Sequence, residues 1–267
     1  MRWLFCLFLT LPGLARGEGR IPADCIALAQ NAAQVIPVVW GGKLTDDVVR
    51  IRYLQHASFA LQTAGGLLAV TDYTGVIGNP DVVPDIVTMN NAHSTHYTDH
   101  PDPRIPLVLR GWGPLGHPAA IDIDLGEMRI RNVTTDLRGP FGEGARKDGN
   151  SIFIFEVAGL CIGHLSHLHQ IPTALQYAAI GRLDVVMVPV DGTYTMDQAA
   201  MADVVRHLHA RIVLPMHWFT AEGLAAFLLQ LREDFTIVVP GTAEIEVSRA
   251  SLPLKPEVVV LEPALIP

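Results

Sequence analysis

The constraint that most narrows the fold is a change of texture near Gly163. Before it the chain reads as short strands separated by glycine turns; after it, strands alternate with amphipathic helical stretches. The early strands are Asp47 to Leu54, Ser58 to Thr63 and Leu67 to Asp72, the last two joined by Ala64-Gly65-Gly66, as expected of an antiparallel meander. Ile86 to Met89, Ile121 to Asp124, Met128 to Val133, Ile152 to Val157 and Leu160 to Gly163 continue the series. Strands at Val185 to Val190, Ile212 to Met216 and Phe235 to Val239 then alternate with helices over residues 173–180, 196–209 and 221–232. Thr195 and Gln198 read as a capping box for the middle helix. The pattern predicts an α/β fold with no linker between the two halves.

The amino terminus reads as a targeting segment. Arg2 supplies a positive charge, Trp3 to Leu14 an apolar run broken by Pro12, and Ala15-Arg16-Gly17 a small-x-small cleavage site. Residues 1–17 are read as a secretory signal, leaving residues 18–267 as one domain in an oxidising, periplasmic setting. The apolar run is too short for a membrane anchor. A short helix over residues 24–34, capped by Asp24, opens the remainder. Cys161 lies in an apolar strand pattern and reads as a buried thiol, with a disulfide to Cys25 as the alternative.

Hydrophobic residues make up 49% of the chain, ample for a core, which sets aside disorder, coiled coil and collagen. The net charge of −8 argues against nucleic acid, which needs a basic stripe to displace phosphate counterions. A small-molecule substrate is the expected partner. Arg138, Arg146 and Lys147 form only a loose loop cluster.

Seven of the 11 histidines fall at or just past the ends of predicted strands: His93, His96 and His100; His164, His167 and His169; and His217. His56 lies between two early strands. Loops at strand ends are where a rigid sheet gathers side chains from distant positions around one point. Imidazole is the commonest metal ligand, so convergence of these loops would build a metal site. His207 and His209 close a helix as dipole partners, and His117 is a loop residue.

Several motifs resemble the metallo-β-lactamase fold superfamily, and within it the lactonase-like hydrolases. They are Gln55-His56-Ala57-Ser58-Phe59, Pro84-Asp85-Ile86-Val87, Asn150-Ser151-Ile152-Phe153, Gly163-His164-Leu165, Gly192-Thr193-Tyr194-Thr195-Met196-Asp197 and Leu214-Pro215-Met216-His217. The resemblance implies a four-layer αββα sandwich and a metal-dependent hydrolase. Its metal loop, H-x-H-x-D-H, aligns without gaps onto Asn91 to His96, with Asn91 and Thr95 replacing a histidine and the aspartate. The alternative register ends on Asp99-His100. At the family's bridging aspartate stands His167.

A bridging carboxylate offsets the repulsion of two dications, whereas a neutral imidazole ligates one. The substitutions therefore favour one ion, held by some of His93, His96, His164, His167 and His217. Nitrogen-rich ligation suits Zn²⁺, with other transition metals compatible by ligand type. The expected activity is attack of metal-bound hydroxide on an ester, lactone or phosphodiester. Asp99 is the candidate general base or ligand-orienting carboxylate, and His56 a pocket residue facing substrate. A metal-binding protein of the same fold without turnover is the other reading.

Overall fold

A computed structural model describes residues 23, 25, 41–90, 93–114, 117–138 and 145–267. The leader of residues 1–17 lies outside the described residues, as does the helix expected over residues 24–34 apart from Cys25.

In chain order the strands are β1 (Val48–Gln55), β2 (Ser58–Gln62), β3 (Leu68–Val70), β4 (Ile86–Met89), β5 (Leu107–Arg110), β6 (Asp122–Asp124), β7 (Met128–Arg138), β8 (Ala145–Val157) and β9 (Leu160–His164). Helix α1 (Ala174–Ile180) follows, then β10 (Val185–Pro189), α2 (Gln198–Leu208), β11 (Ile212–Met216), α3 (Ala221–Leu231), β12 (Thr236–Val238), β13 (Glu244–Ser248) and β14 (Glu257–Val259). They build two sheets, ordered β13-β1-β2-β3-β4-β5 and β12-β14-β11-β10-β9-β8-β7-β6. β1, β2 and β3 pair antiparallel, as the meander predicted. β9, β10, β11, β14 and β12 run parallel, as alternation with helices requires.

Period-two alternation explains the layering. Val49, Ile51, Phe59 and Leu61 of the first sheet face Phe153, Phe155, Met187 and Leu214 of the second in one core. Each such buried side chain contributes about 1.5–3 kcal/mol. The alternate residues Ile154, Val186, Val188 and Val213 turn outward, where α2 and α3 cover them with Val204, Val205 and Phe227. The α/β architecture with two sheets is as expected. On the free face of the first sheet, Val70, Val87 and Met89 are covered by Tyr73, Ile77, Ile105 and Ile266. Among the described residues that fourth layer is therefore made of loops and the C-terminal segment.

Three strands have no counterpart in the sequence reading. β5 is four residues long, and β13 alternates apolar residues with Glu244 and Glu246, which pair with Arg52 and Arg50 on β1 at 2.6 Å. β14 is a three-residue filler between β11 and β12. β7 and β8 extend well past their apolar segments into a polar ribbon. Thr195 is not the cap of α2. Its hydroxyl is drawn to Asp191, and the cap is Asp197, whose carboxylate accepts from the amides of Ala199 and Ala200. The capping box belongs instead to α1, between Thr173 and Gln176.

Cys161 is not a free thiol: it forms a disulfide with Cys25, 136 residues away in sequence. An apolar strand position buries a half-cystine as readily as a thiol, so burial could not separate the two. Restricting so long a loop in the unfolded chain predicts that Cys25→Ser lowers unfolding free energy by about 2–4 kcal/mol. Urea titration should show this as a lower midpoint, reproduced in the wild type by dithiothreitol and not deepened by dithiothreitol in the variant.

Candidate metal centre

The site lies at one edge of the sandwich, where the carboxyl ends of the parallel strands open. His93 and His96 come from the loop after β4, His167 from the loop after β9, and His217 directly follows β11. Asp72 and Asp191 follow β3 and β10, and His56 occupies the β1–β2 turn. The backbone is strained here. His56, Asp72, Ser166 and His217 take φ of 45°, 41°, 51° and 57°, a left-handed region costly to residues with a Cβ. Two of these turns brace each other, because the His217 amide donates to the His56 carbonyl at 2.7 Å. The Tyr53 hydroxyl donates to the same oxygen at 2.7 Å.

Ligand-capable atoms of His93, His96, His167 and His217 all lie within 4.8 Å of one another. His93 Nε2 is 3.2 Å from His167 Nε2, and His96 Nε2 is 3.2 Å from His217 Nε2. Four nitrogens about 2.0–2.1 Å from a tetrahedral Zn²⁺ would be separated by about 3.3 Å, so these pairs have the spacing of ligands that share an ion.

Proton placement makes the same point. His96 Nδ1 lies 2.8 Å from Asp72 Oδ2, and His217 Nδ1 lies 3.0 Å from Asp191 Oδ1, with all four side chains buried. A carboxylate facing Nδ1 favours the tautomer with the ring proton there, by a hydrogen bond in His96 and by proximity in His217, and that tautomer leaves Nε2 as a bare lone pair. Two lone pairs facing each other at 3.2 Å call for a proton or a cation between them. The donor set therefore fits a metal ion.

The electrostatics keep the rings ready to ligate. Burial first, then mutual repulsion with the neighbouring imidazoles, lowers His167 to about 2 and His56 to about 3, and drives His96 well below its ordinary value. Neutral imidazole is the ligating form. Burial pushes Asp72 up to about 7 against the pull of His164 and His217. Burial also acts to raise Asp191, but His217, the Thr195 hydroxyl and the Thr193 amide outweigh it and hold the carboxyl well below the usual range.

His164 is not part of this group. Its Nε2 donates to the Ala57 carbonyl at 2.7 Å, and its Nδ1 accepts from the Ser166 amide at 3.2 Å, so no lone pair remains for a metal. It ties β9 to the β1–β2 turn. Asp99 is exposed and takes no part in the histidine cluster's contacts, while His100 is exposed as well. The carboxylates that touch the site are Asp72 and Asp191, which sequence reasoning missed. The available signal was their place at strand ends, Asp72 the last residue of one expected strand and Asp191 the first after another, the same rule that found the histidines. His56 does reach the site: its ring centre is 4.0 Å from that of His217, and the Thr95 hydroxyl lies 3.0 Å from its Nε2 and 2.7 Å from His93 Nδ1. His207, expected as a helix-dipole partner, stacks on Tyr177 at 3.9 Å.

Comparison with known proteins agrees with the architecture. The sequence model of the beta-lactamase superfamily domain matches residues 50–217, and the chain belongs to that superfamily. It is 25% identical over 220 residues to a metal-dependent hydrolase of Methanosphaerula palustris, covering 74% of this chain and 100% of the relative. A metal-dependent hydrolase of Thermococcus kodakarensis is 24% identical over 223 residues, covering 74% and 95%. Among solved structures, a metallo-beta-lactamase superfamily protein from Thermotoga maritima superposes with a TM-score of 0.56 at 27% identity, covering 80% of this chain and 99% of that one.

Replacing His93, His96, His167 or His217 by alanine should each remove most bound metal, read by elemental analysis after gel filtration. His164→Ala should instead keep the metal and lower stability by about 1–3 kcal/mol, the cost of a buried carbonyl without its donor. Asp191→Asn, with the proton of His217 no longer fixed, should weaken metal affinity about 10–100-fold in chelator competition.

Proposed function

We propose that this metal-dependent hydrolase of the metallo-β-lactamase superfamily works with a single Zn²⁺ on His93, His96, His167 and His217, and cleaves an ester or lactone of a small molecule. The observation that carries the reading is the convergence of four imidazole Nε2 atoms with no carboxylate among them. An all-nitrogen set suits Zn²⁺, and a second dication would lack a bridging carboxylate. When bound, the ion supplies a Lewis acid for the scissile carbonyl and lowers the pKa of a coordinated water to about 7.

The chain's own residues do the rest. Asp72 and Asp191 orient His96 and His217 from behind. The Thr95 hydroxyl bridges His93 Nδ1 and His56 Nε2, and His56 is half-buried at the mouth, placed to pass a proton to or from substrate. Phe219 and Tyr194 stand exposed beside it in edge-to-face contact at 5.8 Å, and Phe219 lies 5.4 Å from His217. Two exposed rings bordering the site offer a wall for the apolar body of a substrate. Among the described residues the leading charges that act on His56, His93, His96 and His167 are those of other histidines, His217 above all, and of Asp191, with no guanidinium of the kind that clamps a phosphoryl group. This favours carbonyl substrates over phosphodiesters.

We infer in addition that the protein is exported. The Arg2, Trp3 to Leu14 and Ala15-Arg16-Gly17 pattern supports this, as does the Cys25–Cys161 disulfide, a bond that persists in oxidising compartments.

The test is metal stoichiometry beside hydrolysis of p-nitrophenyl butyrate, a γ-lactone and bis(p-nitrophenyl) phosphate. One zinc per chain and chelator-sensitive turnover of the first two are expected. Phe219→Ala should raise KM about fivefold or more with kcat within about twofold, the pattern of lost uniform binding, and Asp99→Asn should leave both unchanged. Two ions per chain would overturn the single-ion reading. A metal-loaded protein inert on all three substrates would make it a metal-binding member of the fold.

A further inference from the structure

A second concave site lies at the other end of the parallel strands. A cavity of about 580 Å³ opens beside the residues that precede β10 and β11, among them Asp184 and Arg211. The histidine cluster sits past the opposite ends of those strands, which at about 3.3 Å per residue puts roughly 17 Å of sheet between the two. Four arginines line it: Arg182, Arg206, Arg211 and Arg249.

Their partners show which of them are available. Arg206 is engaged through all three of its nitrogens, donating to Asp234, Asp203 and the Gln230 carbonyl. Arg182 pairs with Asp184 and donates to Cys161 Sγ. Asp184 is buried, and its second oxygen accepts from the Cys161 amide at 2.8 Å, so both of its oxygens are occupied. Arg211 makes one hydrogen bond, Nη1 to the Leu254 carbonyl at 2.6 Å. Among the described residues the Arg249 guanidinium has no hydrogen bond or ion pair. Arg211 and Arg249 line the same cavity, and after Arg182 both act on Asp184, opposing the rise that its burial imposes. A guanidinium carries five donors. The two carboxylates in the lining, Asp184 and Asp234, are engaged by Arg182 and Arg206, so Arg211 and Arg249 leave the cavity with an excess of positive charge in a protein of net charge −8. The wall is apolar, formed by Phe235 and Leu252, with Leu254 at 73% exposure on the rim.

We propose that this cavity is a binding site for a small organic anion, whose carboxylate or phosphate headgroup is held by Arg211 and Arg249 while its apolar body rests on Phe235, Leu252 and Leu254. Planar guanidinium forks match both headgroups in bidentate geometry, which an ammonium cannot. The site is separate from the metal centre and does not depend on the proposed hydrolysis.

Calorimetric titration of the full-length protein with phenyl phosphate and phenylacetate tests it, since these carry the two headgroups on one apolar body. Saturable binding of at least one is expected, about tenfold tighter than inorganic phosphate, with no binding of benzyl alcohol. Arg211→Gln with Arg249→Gln should weaken binding at least about tenfold, and His93→Ala should leave it unchanged. Arg249→Gln alone removes no hydrogen bond or ion pair seen among the described residues, so it serves if the double variant does not fold, and it too should weaken binding. Retained affinity in Arg249→Gln and the double variant, loss of affinity in His93→Ala, or no binding of either probe would overturn the proposal. Binding of phenyl phosphate alone would assign the site to phosphates, and of phenylacetate alone to carboxylates.

Discussion

Two imidazole lone pairs cannot rest 3.2 Å apart without a proton or a cation between them, and the structure around His96 and His217 is arranged to impose that condition. Each ring is turned by a buried carboxylate, and burial keeps each neighbour neutral. The site is thus held in a state that is electrostatically unfavourable when empty of positive charge. A cation placed there would relieve that penalty and would meet His93, His96 and His167 with burial already disfavouring their protonated forms.

The fold supplies the rigidity that such an arrangement needs. The four histidines and the two carboxylates behind them come from the ends of five different strands, and the strands are fixed by a core shared between both sheets. Strain is concentrated at this edge, with left-handed backbone at His56, Asp72, Ser166 and His217. The bond from the His217 amide to the His56 carbonyl joins two of these strained turns across the sheets. His164, removed from the ligand set, anchors the same region by its donation to Ala57. The opposite end of the parallel strands carries the complementary electrostatics, arginine-rich where the first is imidazole-rich. The two ends are joined by β10 and β11, which run from Arg211 and Asp184 to His217 and Asp191.

Much of this was legible in the sequence. The change of texture at Gly163 located the parallel half, because buried parallel strands read as unbroken apolar runs such as those of β10 and β11. The position of histidines after those runs located the cluster. Short or charged strands such as β5 and β13 were not legible, because their pairing is decided by partners far away: Glu246 makes sense only opposite Arg50. The cap at Asp197 was misplaced for a related reason. Thr195 has the right chemistry to cap, but Asp191 claims its hydroxyl.

The sequence by itself determined the longer apolar strands and the amphipathic helices, the family resemblance and the histidines able to ligate, since these follow from local periodicity and side-chain chemistry. Only the tertiary structure decided membership of the site. His164 and His167 are three residues apart and equal in chemistry, yet one gives its ring to Ala57 and the other faces His93. Asp99 is near the ligands in sequence and absent from their contacts, whereas Asp72 and Asp191 come from other strands and govern the protons of the ring nitrogens. Cys25 and Cys161 were separated by 136 residues until the fold joined them. In each case the deciding quantity is a distance of a few ångströms between residues remote in sequence, and no local pattern encodes it.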